Sequence, residues 1–168
     1  MTKKIALIAL VAGALFLAGC NQQGKDDAAP AQPAAAAAPL VAPPAGNTQA
    51  WKLYLVNVAK QHMEGIRSSP FMYYLPEQDA EDFEEQYSRQ VDNVGGAVMR
   101  GVLPGNMLAF GSPASGKMAD LIVSAFQHVP AGSMKDVRVL FIGSAADIDR
   151  VKAAVEPSGA NVVFHEVK

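Results

Sequence analysis

The run Val137–Ile142, VRVLFI, does most to limit what this chain can fold into. It is rich in β-branched and large apolar residues, the composition of a strand. Apart from Arg138 it has no side suited to water. A strand apolar on both faces belongs in a parallel sheet covered by helices on both sides. The flanking sequence supplies such helices. Met118–His128 carries Leu121, Ile122, Ala125 and Phe126 at helical spacing. Ala145–Val155 turns Ile148, Val151 and Val155 to one side, with Asp147 and Asp149 near its start and Pro157 and Gly159 past its end.

The pattern extends in both directions. Trp51, Tyr54, Leu55, Val58 and His62 form a helical stripe, with Thr48 as the expected N-cap and Gly65 as the stop. Phe71–Leu75, closed by Pro76, reads as a strand with Phe71 and Tyr73 on one face and Met72 and Tyr74 on the other. Phe83, Tyr87, Val91, Val94 and Val98 mark the clearest helix. Asp79 is its expected cap, and Glu81, Asp82, Glu84 and Glu85 lie where the helix dipole favours negative charge. Gly95-Gly96 inside it weakens helix propensity by about 1 kcal/mol per glycine, which close packing against a neighbour would explain. Leu103-Pro104-Gly105-Asn106 has the order of a type II turn. Met107–Phe110 reads as a buried strand, and Val162–Val167 as an edge strand, broken by His165 and Glu166. The order is a helix, then βαβαβαβ. The expected fold is α/β: one three-layer domain over residues 48–168 with a four-stranded, mainly parallel sheet.

The first third of the chain is of another kind. Lys3 and Lys4 precede an apolar stretch from Ile5 to Ala18, and Leu17-Ala18-Gly19-Cys20 closes it. A basic start, an apolar centre and small residues before a cut are the layout of a secretory signal. Leu-Ala-Gly-Cys resembles the lipobox of bacterial lipoproteins. The resemblance implies cleavage before Cys20, a signal peptide over residues 1–19 and a covalent lipid on Cys20. It implies residence in the bacterial cell envelope, anchored to a membrane, and Asn21 after the cysteine points to the outer membrane, facing the periplasm. Residues 20–47 are then a tether. Pro30–Gly46, PAQPAAAAAPLVAPPAG, favours extended polyproline and cannot bury a core. At about 3.1 Å per residue the whole linker, residues 21–49, reaches on the order of 90 Å when fully extended.

The lipobox and the charge exclude several chemistries. Cys20 is the only cysteine, so once lipidated it leaves neither a thiol nor an intrachain disulfide. Losing Lys3 and Lys4 with the leader moves the formal net charge from −2 to −4. Nucleic acid and anionic lipid headgroups both reward clustered Lys and Arg, so neither is an expected partner. His62, His128 and His165 show no metal-ligand spacing. The acidic run Glu77–Glu85 lacks the order of a calcium loop and reads as a solvated helix start.

One motif competes for attention. Gly111-Ser112-Pro113-Ala114-Ser115-Gly116-Lys117 matches GxxxxGK between a strand and a helix, the context of a phosphate-binding loop. Met118 stands where the magnesium-binding hydroxyl belongs, and VRVLFIG ends without a metal-binding acid. The exported side of the envelope is also not expected to supply nucleoside triphosphate. The plainer reading is a Gly-rich connection in which Ser115 caps the helix. A simple anion held by Gly111, Ser112, Ser115, Gly116 and Lys117 is the alternative. A serine hydrolase would need Ser112, Ser115 or Ser144 beside a histidine, for instance Ser144 with His62, and no GxSxG is present. Trp51, Tyr54, Phe71, Tyr73 and Tyr74 read as packing against the first helix, with any exposed remainder a protein-binding patch.

In plan, the chain resembles outer-membrane lipoproteins that reach across the periplasm to act on a partner, such as activators of penicillin-binding proteins and accessory lipoproteins of secretion and pilus machines. The expected function is thus a non-enzymatic protein-interaction or accessory module without a cofactor other than the lipid. Its expected partners are the membrane, through the anchor, and an envelope protein.

Overall fold

In the computed structural model residues 40–168 are described; the expected signal peptide, Cys20 and the tether up to residue 39 lie outside the described residues. Helix α1 (Thr48–Gln61) is capped by Asn47, whose side chain accepts from the Ala50 N–H at 3.0 Å. Thr48 is therefore the first helical residue and not the cap. His62 ends the helix ahead of Gly65. Residues 40–47, expected as tether, are seated on the domain. Leu40 and Ala42 pack against the α1 side of the sheet. The Trp51 indole donates to the Pro44 carbonyl at 3.2 Å, giving a nearly buried N–H the partner it needs.

The sheet is entirely parallel and runs in the order β1 (Phe71–Tyr74), β2 (Met107–Gly111), β3 (Arg138–Gly143), β4 (Asn161–Glu166). Between them lie α2 (Phe83–Arg100), α3 (Ser115–Phe126) and α4 (Ile148–Val155). Alternation along β2 and β3 divides the core. Leu108, Phe110, Val139 and Phe141 face all three crossover helices. Met107, Ala109, Leu140 and Ile142 face α1 and the segments flanking it, through Leu40, Ala42, Met63 and Ile66. Crossovers of one hand that always step in the same direction must all lie on one face, and this strand order meets that condition. The layers are thus one helix, four strands and three helices. VRVLFI is buried on both sides as its composition demands, and β4 is an edge.

Two local expectations need correction. The cap of α2 is Asp82, because residues 77–82 form turns that delay the helix; its carboxylate accepts from the Gln86 amide at 2.7 Å. Gly95 packs against nothing: a Cβ there would meet open space, and one at Gly96 would meet only the Arg100 side chain. The close approach occurs at Gly111, where a Cβ would stand 2.2 Å from Leu55 of α1. The Pro104-Gly105 turn forms as expected, with Gly105 at φ +82 and Asn106 N–H donating to Leu103 O at 3.2 Å.

Candidate functional site

The strand–loop–helix at Gly111–Lys117 is closed on itself. Ser112 is buried; its hydroxyl donates to Leu75 O and accepts from Ala114 N–H, both at 2.9 Å. The cap of α3 is Ala114, and Ser115 is its first residue, contrary to the capping role expected of Ser115. The Ser115 hydroxyl reaches across to the loop after β3. It accepts from Ser144 N–H at 2.8 Å and donates to the Asp147 carboxylate at 2.7 Å. Asp147 thus places a negative charge of the protein's own at the start of α3, where a bound anion would profit from the helix dipole. Arg150 completes the bridge. Its guanidinium binds Asp147 and the Gly116 carbonyl, each at 2.7 Å, and Asp120. These bonds, to Asp120 foremost, raise the Arg150 pKa further above its ordinary value. Lys117 lies over the Tyr87 ring at 5.8 Å, a cation–π contact, and not over the loop.

The strand order bears on the same loop. Open α/β sheets bind ligands where the strand order reverses and the flanking loops part. A sheet ordered one to four has no such reversal. A hollow of about 560 Å³ lies at the opposite end, among Arg67, Gly105, Asp136, Arg138 and Asn161.

The pairing of Ser144 with His62 does not form. His62 lies at the end of α1, where its carbonyl accepts from Arg138, the first residue of β3; Ser144 follows the last residue of that strand. His62 meets His165 instead, with ring centroids 5.9 Å apart, and His165 meets Tyr54 at 6.1 Å. This juxtaposition has no signal in the sequence. Burial, and next the nearby Arg138 charge, push the His62 pKa down. Burial, and next His62, do the same to His165. Among the described residues, Tyr54 Oη, His62 Nε2 and Arg138 Nε are buried without a hydrogen-bond partner. No group of three or more His, Cys, Asp or Glu comes together among them, and no helix of the described residues is long and apolar enough to cross a membrane.

The third region is the margin of the sheet at β1. The expected aromatic cluster splits across the sheet: Tyr73 stacks on Phe110 on the crossover side at 4.9 Å, while Tyr74 belongs to the α1 side with Trp51 and Tyr54. Phe71 and Met72 remain open, at 50% and 37% exposure. Val56 of α1 and Leu103 of the Pro-Gly turn stand beside them, also exposed. Hollows follow the strand on both sides. Phe71, Ala97 and Leu103 border one of about 290 Å³ on the α2 side. Met72 borders two more, both shared with Val56: one of about 330 Å³ on the α1 side, and one of about 360 Å³ that also reaches Gln86 and Gln90 of α2. Phe71 and Met72 are legible in the sequence as residues of a strand, whereas Val56 and Leu103 are not legible as their neighbours. Lys52, Val56 and Lys60, at intervals of four on α1, were the available sign.

No protein-family model, curated protein or solved structure matches this chain.

Proposed function

We propose that this chain is a bacterial envelope lipoprotein, anchored through Cys20 to the outer membrane, whose α/β domain is a non-enzymatic accessory module that binds another protein in the periplasm. The observation that carries the reading is the gathering of exposed apolar side chains around β1. Of the eight large exposed ones among the described residues, four gather there: Phe71 and Met72 in β1, and Val56 and Leu103 beside it. Apolar surface collected in one place, with Phe and Met among it, is the composition of a protein-binding patch. The lipobox and the Ala/Pro segment support the compartment and the tether. The alternative, a small anion at Gly111–Lys117, has the Asp147 carboxylate against it.

A photo-crosslinking residue at Leu103 tests the reading in the intact cell. One discrete protein adduct is expected from Leu103, and none from the same residue at Lys152 on α4. Equal adducts from both positions, or none from Leu103, count against a partner at this margin.

A further inference from the structure

We propose that β1 takes an extended, acidic segment of the partner as a fifth strand of the sheet. This rests on the protein-binding reading above and specifies its mode and the chemistry of the partner.

The first ground is the strand itself. Among the described residues β1 is hydrogen-bonded to a strand on one side only, and at its carboxyl end the Tyr74 carbonyl accepts from the Gln90 side-chain amide of α2 at 3.4 Å. Exposed edges in natural proteins are ordinarily protected by charge, bulges, cover, proline or short length, and of these β1 has the last two: it is four residues long and lies between Pro70 and Pro76. The opposite edge, β4, carries His165 and Glu166. Phe71-Met72-Tyr73-Tyr74 carries no charge, and its register with β2 is unbroken. Pro70 and Pro76 bound it, so an added strand has about four residues to pair with.

The second ground is the hollows. An added strand turns successive side chains to opposite faces. The hollows at β1 are disposed partly in that way: Phe71 opens to one on the α2 face and Met72 to one on the α1 face, while a third, also at Met72, runs along the strand between α1 and Gln86 and Gln90 of α2. Backbone pairing with pockets for alternate side chains is the general form of recognition by strand addition.

The third ground is charge, and it selects the occupant. Each of the three hollows is bordered by one cation and no carboxylate: Arg100, Lys60 and Lys52. All three are exposed, and none is in an ion pair among the described residues. Glu77 and Asp82 lie in the loop beyond the strand's carboxyl end. A positive rim on a chain with more acidic than basic residues fits a negative segment. It also argues against a second copy, because pairing β1 with itself would set the two rims against each other, and like charges facing across a strand pair are unfavourable.

Random dodecapeptides displayed on phage and selected against the full chain test this. The enriched sequences are expected to alternate apolar residues and to carry Asp or Glu around them. As synthetic peptides they should shift the amide resonances of Phe71–Tyr74. The Lys60→Gln/Arg100→Gln chain should bind them at least tenfold more weakly. N-methylating every second peptide amide should abolish binding in one of the two phases and spare it in the other. The inference is overturned by basic or neutral winners, by equal tolerance of both N-methyl phases, by shifts confined to other residues, or by selection that enriches nothing. Dimerisation of the chain through the same amides overturns it in favour of self-pairing. The crosslink from Leu103 is independent of these results. A crosslinked partner together with a failed selection would leave the protein-binding reading intact and remove strand addition alone.

Discussion

Two glycines show how differently one residue type is used here. At Gly111 a Cβ would collide with Leu55 at 2.2 Å, because α1 lies directly on β2. Gly111→Ala is expected to cost about 1–3 kcal/mol through overpacking, read from the urea midpoint. Gly95 has open space where its side chain would be, so Gly95→Ala should raise stability by about 1 kcal/mol in the same measurement. Ser115 is a third case. Its hydroxyl ties two loops together through Ser144 and Asp147. Ser115→Ala is expected to destabilise by about 1–3 kcal/mol, since it leaves both groups without that partner. The GxxxxGK match made Ser115 look like a ligand group. Its bond to Asp147 joins residues far apart in the chain, and a motif read locally carries no sign of that.

At the scale of elements, much of the fold was legible in the sequence. Phe83, Tyr87, Val91, Val94 and Val98 marked α2, and VRVLFI marked β3, because periodicity and β-branched content reflect burial directly. The ends were less legible: Asn47 displaced Thr48 as a cap, and Asp82 displaced Asp79, through local turn geometry. The strand order was not legible at all. Handed crossovers decide the face of a helix only once the direction of each step is known. The same limit hid the contact between the end of α1 and β4. There His62 and His165 both have lowered pKa values, for which burial is the main cause. Such groups bind protons better unfolded than folded, so they stabilise the fold fully above their unfolded pKa of about 6.5. That stability is lost as the pH falls through their lower folded values. The urea midpoint should therefore decline on acidification from about pH 7, and His165→Gln should decline less steeply. A pH-independent midpoint would refute the coupling.

For the molecule as a whole, the separation of stability from binding is testable. Leu103 is 75% exposed and Phe71 half-exposed, so Leu103→Asp and Phe71→Ser should each leave stability within about 1 kcal/mol of the parent. The adduct formed by a crosslinker at Val56 should nevertheless disappear in both. If they unfold the domain, the β1 margin belongs to the core.

The way the described chain enters the domain has a directional consequence. Ala42 N–H donates to the carbonyl of Lys168 at 3.4 Å, and Leu40, Ala42, Val163 and Val167 share one side of the sheet. Entry is therefore beside β4, and β1 is the opposite margin, three strand spacings or about 14 Å away. A pull on residue 40 from a membrane would align the sheet like a flag on its mast. The margin nearest the mast would be β4, and the free hem would be β1.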